Sequence, residues 1–290
     1  AQMDILSCLP TNHGWRVVIG GFLAHLVLGT LYLWASITPA VTAYLRGYDP
    51  SLTYHDTIMV YASALGSQGI FMLVGGVLER AIGPRLTMIL GGSVLCLGTL
   101  LCASVTSLAG FIWFNGIFFG VGMGIVYTAP ITCAIRWLPK EKGRVTGSIV
   151  AGFGGGSLIF NQVALHVLNP ENERPDVVEE SGVYFQSDSD VARRVPRLYV
   201  LLGCLYAVLF AVGVALTRDP TKDEAHLISS HASSSPLSSS SSSSLPQPTG
   251  STPNGSDYGG RKVMMTVSTT DDEVGNEDKE GVTRVGIELS

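Results

Sequence analysis

Charged and apolar positions are segregated along this chain in blocks longer than a soluble helix uses. Between Leu86 and Ile135 there is no Asp, Glu, Lys, Arg or His in fifty consecutive positions. As one helix that run would measure about 75 Å, at about 1.5 Å per residue, against about 30 Å of hydrocarbon in a bilayer. It therefore predicts two crossings joined by a tight turn, placed at "SVTSLAG", residues 104–110. The same reading predicts six spans, at residues 17–44, 58–78, 86–105, 108–134, 146–168 and 198–217. The first is too long for a signal peptide, lacks a small-residue cleavage site, and continues as helix through "SITPAV". The expected fold class is an all-α membrane protein. A short cytoplasmic segment (1–16) precedes a six-helix transmembrane domain (17–218) and a cytoplasmic tail (219–290).

Beyond Arg218 the pattern stops. The stretch "SSHASSSPLSSSSSSSLPQPTGSTPNGS" has nothing to bury and is expected to be disordered, as a linker to further helices or as the end of the protein. From Asp219 onward the tail holds 11 of the 23 acidic residues against 5 basic ones, so the net charge of −5 belongs to it. That charge says nothing about what the membrane domain handles, and no nucleic-acid partner is expected. Cys96, Cys102, Cys133 and Cys204 lie in spans without CxxC spacing, so no metal or other cofactor is expected. There is no GxSxG, HExxH or phosphate-binding glycine loop and no pair of acids inside a span, so enzymatic activity is not expected.

Basic residues near the span ends are distributed unequally. Arg16, Arg80, Arg85, Arg136, Lys140, Lys142, Arg144, Arg218 and Lys222 fall on one side, and Arg46, Arg174, Arg193, Arg194 and Arg197 on the other. Positive charge marks the cytoplasmic side, so both ends of the six-span unit are expected there. The loop from Asn169 to Val195 is then external and reads as a solvated connector. The sequon at Asn254 should stay unmodified, because the tail never meets a lumen. A glycosidase-sensitive mass shift abolished by Asn254→Gln would overturn this orientation.

Three segments carry a family resemblance: "LGTLYLWASITPAV" in the first span, "GGVLERAIGPRLTMILGG" between the second and third, and "RWLPKEKGRVTGSIVAGFGGGSLIF" between the fourth and fifth. Together they resemble the major facilitator superfamily, in its oxalate/formate antiporter and monocarboxylate-porter-like branch, over residues 15–218 or so, the amino-terminal six of twelve helices. The resemblance implies alternating access, a small organic anion as substrate, and a second six-helix half as partner within the lipid bilayer. It assigns a conformational motif to Glu79, Arg80, Gly83 and Arg85, with Lys142, Gly143 and Arg144 in the second cytoplasmic loop. Two residues, Ala81 and Ile82, separate the acid–base pair from the glycine where the family usually has one. That extra residue is expected to turn Glu79 by about 100° around the helix.

Polar groups sharing a face near span centres are the candidates for substrate binding. His25, Gly29, Tyr32, Ser36 and Pro39 fall on one side of the first span, with Trp34 opposite. His25 is the one ionisable side chain well inside a span, a functional candidate whose bland alternative is a neutral His bonded to a neighbouring helix. Tyr61 and Gln68 share a face of the second span, Tyr127 lies on the glycine face of the fourth, and Gln162 aligns with Ser148 and Gly155 on the fifth. These groups can surround a small anion without neutralising it. In the resembling family the neutralising cations lie in the carboxy-terminal helices.

Glycines complete the pattern. Gly116, Gly120 and Gly124, and likewise Gly147 and Ala151, recur every four residues and predict close helix contacts. Gly152, Gly154, Gly155 and Gly156 exceed what packing needs and are expected to form a hinge. The expected function is transport of small organic anions across a membrane that the sequence does not identify. The alternative is a six-span protein that does not transport, with a regulatory or assembly role.

Overall fold

The computed structural model describes the backbone of residues 2–179 and 182–233 and the side chains from 13 to 230. The tail expected to be disordered from 219 instead begins with a helix, Lys222–Ser233, whose first turn carries Asp223 and Glu224; the rest of it, with Asn254, lies outside the described residues. Six helices are long and apolar enough to cross a membrane: His13–Arg46, Tyr54–Ile82, Pro84–Ser104, Leu108–Trp137, Pro139–Leu168 and Asp190–Leu216. They are the six expected spans, most of them longer by several residues.

The ends of these helices follow from local chemistry. Thr53 and Asp56 form a reciprocal capping box that starts the second span, with Thr53 N–H donating to Asp56 at 2.9 Å. Gly83 ends it with φ of 82°, a conformation that favours glycine, and Pro84 opens the third span in its first turn, where a missing N–H costs nothing. This is why "GPR" makes so short a corner. The third span ends at Ser104, and the Ser107 side chain accepts from Gly110 N–H to cap the fourth, within the stretch assigned to the turn.

The first and fourth spans change their winding away from their ends. The first tightens to a 3₁₀ turn at Gly29–Leu33, and the fourth widens to π-helix at Ile112–Phe118. Neither departure registers in hydropathy, which reads both spans as continuous.

Glycine sets the closest contacts. A Cβ on Gly116 would lie 2.0 Å from Ser63 Oγ, one on Gly120 2.3 Å from the Ala64 carbonyl, and one on Gly124 2.7 Å from the Gln68 carbonyl. The fourth span thus lies backbone-close along the second, as the four-residue spacing predicts. On the fifth span the expectation needs correcting by one position. Gly147 has nothing within 4 Å of a hypothetical Cβ, and Ala151 is exposed. The contact with the first span is made instead by Gly152, against the Phe22 carbonyl, and by Gly156, against the Leu26 carbonyl. Gly29 meets the Phe153 carbonyl in return.

The connector from Asn169 to Val195 is more than solvated chain. It holds an antiparallel hairpin, β1 (Val177–Glu179) and β2 (Gly182–Tyr184), and a short helix at Asp190–Arg193. Tyr184 is fully buried and stacks on Tyr54 at 4.4 Å, and Arg46 lies over its ring and pairs with Glu179. A hydropathy pattern cannot register two three-residue strands whose anchor is a ring stacked on another span.

Candidate functional site

Four aromatic rings from three spans form a connected row on one side of the bundle. Tyr32 meets Phe153 edge-on at 5.6 Å, Phe153 meets Tyr127 edge-on at 5.8 Å, and Tyr127 lies over His25 at 5.2 Å. The two edge-on contacts match quadrupoles edge to face, and the His25–Tyr127 pair is tilted at 57°. The row is graded from wet to dry: Tyr32 is 51% exposed, Phe153 and Tyr127 are half-buried, and His25 is fully buried. Three residues expected at the site on independent grounds, His25, Tyr32 and Tyr127, are thereby brought together. Phe153 joins them without having been expected. It is the one aromatic residue inside the glycine run, and that was the available signal.

His25 is fully buried at the inner end of this row. Its Nδ1–H donates to the Gly21 carbonyl at 3.0 Å, which fixes the tautomer and leaves Nε2 as the acceptor. Nε2 is buried without a hydrogen-bond partner among the described residues, as are Thr128 Oγ1 and Asn161 Oδ1. Gly152 makes room for the ring, since a Cβ there would come within 3.3 Å of the His25 Cβ. Tyr61 and Gln68 are half-buried on the second span, Tyr61 near enough to Tyr32 for their hydroxyls to interact electrostatically. Gln162 is exposed on the fifth span.

The expected conformational motif resolves into one buried acid and several exposed cations. Glu79 is 4% exposed and pairs with Arg136 Nη2 at 2.5 Å. Arg136 Nη1 donates to both oxygens of Asp219 at 2.9 Å, so one guanidinium joins the second span to the segment just after the sixth. Trp137 Nε1 donates to the Arg218 carbonyl at 2.6 Å, and Arg218 pairs with Glu224, whose acceptance from Thr221 N–H holds its carboxyl below the usual range. Arg80, Arg85, Lys142, Gly143 and Arg144 are exposed, and Arg144 pairs with Glu141 and lies over the Trp15 ring. Sequence reasoning assigned Glu79 a role but missed its partner Arg136 and the second acid that Arg136 holds, Asp219. Arg136 counted only as a loop charge, and Asp219 was read as the start of the tail.

The glycine run divides into two kinds. Gly152 and Gly156 are in backbone contact with the first span. Gly154 has nothing within 4 Å of a hypothetical Cβ, and Gly155 only the far end of Leu26 at 3.7 Å. The helix Lys142–Leu168 runs unbroken through all four.

Comparison with known proteins gives concordant results. The family model described as Major Facilitator Superfamily matches residues 17–245. The chain is 33% identical over 246 residues to apicoplast pyruvate carrier 1 of Toxoplasma gondii, covering 70% of this chain and 45% of that protein. It is 28% identical over 160 residues to the oxalate:formate antiporter of Oxalobacter formigenes, covering 55% and 37% respectively. To monocarboxylate transporter 13 of Rattus norvegicus it is 26% identical over 157 residues, covering 54% and 36%. The matched region is thus less than half the length of each of these relatives.

Proposed function

The chain belongs to the major facilitator superfamily and is an integral, multi-pass membrane protein, and on that footing we propose that it supplies six helices of a small-organic-anion carrier. The mechanism is alternating access, with substrate bound at mid-membrane against a second six-helix half. The substrate is of the monocarboxylate or oxalate/formate type, in keeping with the names of the relatives.

The observation that carries this reading is the row Tyr32, Phe153, Tyr127 and His25, which opens to the outside of the bundle at Tyr32. Aromatic edges carry partial positive charge and tolerate a carboxylate without neutralising it. Tyr61, Gln68 and Gln162 add donors around the row, and the charge partner comes from the second half. The second and fifth spans leave much of their own surface uncovered, with Leu73 77% and Leu158 73% exposed, which suits them to face that half. Glu79, Arg80, Gly83, Arg85, Lys142, Gly143 and Arg144 then act at the cytoplasmic gate. In proteoliposomes holding the full-length protein, counterflow of labelled pyruvate, oxalate or formate should be seen, and Tyr127→Ala should reduce it about tenfold. A correctly inserted protein that moves none of the three would favour the non-transporting alternative.

His25 serves as a neutral hydrogen-bonding support, so transport is exchange or facilitated flux and needs no proton carried by this residue. His25→Gln should keep much of the uptake and its dependence on external pH. Uptake that rises steeply between about pH 7.5 and 5.5 in the wild type and flattens in the variant would reassign His25 as a proton carrier.

The hinge function narrows to Gly154 and Gly155, the two that packing does not require. A Cβ at Gly155 meets only the far end of the flexible Leu26 side chain, so Gly155→Leu should keep surface expression near wild type while transport is lost. Wild-type transport by Gly155→Leu would leave the extra glycines without a role in movement.

A further inference from the structure

Inside the bundle, bordered by the first four spans and the sixth, lies a cavity of about 30 Å³ that shares only Tyr61 with the residues grouped around the aromatic row. Its polar lining comprises Thr30, Trp34, Tyr61, Thr99, Asn115, Tyr199 and Tyr206, of which Thr99 already donates to the Leu95 carbonyl. Two of these groups are orphaned. Trp34 is 6% exposed and Tyr199 1%, and neither Trp34 Nε1 nor the Tyr199 hydroxyl has a hydrogen-bond partner among the described residues. Tyr206 and Thr30 engage each other, and Thr30 Oγ1 donates onward to the Val27 carbonyl at 2.6 Å. Leaving a buried donor unpaired is costly, more so within a membrane, where no bulk water can reach it.

Both departures from α-helix border this space. Thr30, Leu31 and Leu33 belong to the 3₁₀ turn of the first span, and Asn115 to the π-helix of the fourth. Such irregular turns leave backbone carbonyls that ordered water satisfies in membrane helices. The chemistry narrows the occupant. Trp34 Nε1–H can only donate, so the ligand must accept, and no carboxylate lines the cavity to hold a cation. The volume suits about two waters.

We propose that this cavity is a hydration site whose waters accept from Trp34 and pair with Tyr199 and Asn115, joining the first, fourth and sixth spans. The site is independent of the transport reading: it would exist whatever the protein carries, and its test measures no transport. In the full-length protein, Trp34→Phe and Tyr199→Phe should each lower the melting temperature by about 2–4 °C. The double variant should fall no lower than the worse single one, because either change breaks the same water bridge. Packing lost with the indole is common to both arms of the cycle and cancels. Strictly additive losses would overturn the proposal. So would a coupling that vanishes when chloride is replaced by gluconate, since a halide would then be the occupant. Should Trp34→Phe fail to accumulate, Asn115→Ala with Tyr199→Phe completes the same cycle. A map that resolves solvent should show density within about 3 Å of both Trp34 Nε1 and the Tyr199 hydroxyl. An empty or lipid-filled cavity would overturn the assignment.

Discussion

Arg136→Ala should destabilise the protein by about 3 kcal/mol, more than either of the acids it binds would when neutralised. Glu79 is 4% exposed, and Arg136 is the cation that pairs with it among the described residues. Removing the guanidinium leaves a carboxylate buried between helices with no counter-charge, and that stranded charge dominates the cost. The reverse change is gentler. In Glu79→Gln the guanidinium keeps both hydrogen bonds to Asp219 and remains 38% exposed to solvent. The expected order of melting temperatures is therefore wild type, then Glu79→Gln, then Arg136→Ala. Adding Glu79→Gln to Arg136→Ala should recover much of the loss, since no charge is then stranded. If Arg136→Ala melts no lower than Glu79→Gln, the pair is not what holds Glu79 in the bundle.

The second large effect belongs to a single methyl group. Gly156→Ala places a Cβ 2.0 Å from the Leu26 carbonyl oxygen and 2.8 Å from its carbon, and backbone cannot swing aside as a side chain can. The first and fifth spans must separate, which opens the aromatic row at Phe153 and should cost upward of about 3 kcal/mol. Gly154→Ala, two residues away on the same helix, meets nothing within 4 Å. It should insert and melt like the wild type. The measurement is membrane-inserted yield and melting temperature for the two variants side by side. Equal behaviour would mean that the two spans do not lie this close.

How much was legible in the sequence depends on the kind of information each element carries. The spans follow from charge exclusion over lengths set by the bilayer, and a run such as Leu86–Ile135 has one interpretation. The glycine face of the fourth span follows from a fixed spacing. On the fifth span, small residues stand at positions 147, 151, 152, 154, 155 and 156, so several faces qualify and spacing alone picks the wrong one. The site was legible where helical periodicity suffices, as for His25, Tyr32 and Tyr127. It was not legible where a partner comes from another span. Phe153 closes the row, and Arg136 with Asp219 completes the environment of Glu79, across separations of 57 and 83 residues. The hairpin, the 3₁₀ turn and the π-helix were hidden for a different reason: hydropathy measures where a segment dissolves and is silent about how its backbone winds.

The glycine contacts between spans also bear on how such a chain can change over generations. At Gly124, Gly29 and Gly156 the atom nearest a would-be side chain is a main-chain carbonyl oxygen, which every amino acid possesses. What these contacts require is one small residue at a few positions and nothing particular on the opposite helix. Most lipid-facing and core side chains are therefore free to drift, as long as they stay apolar. A substitution at one of those few positions meets backbone that no compensating change of side chain can move. The arrangement is permissive over most of its length and unforgiving at a handful of sites, so distant descendants of one ancestor could share its helix contacts with little else in common.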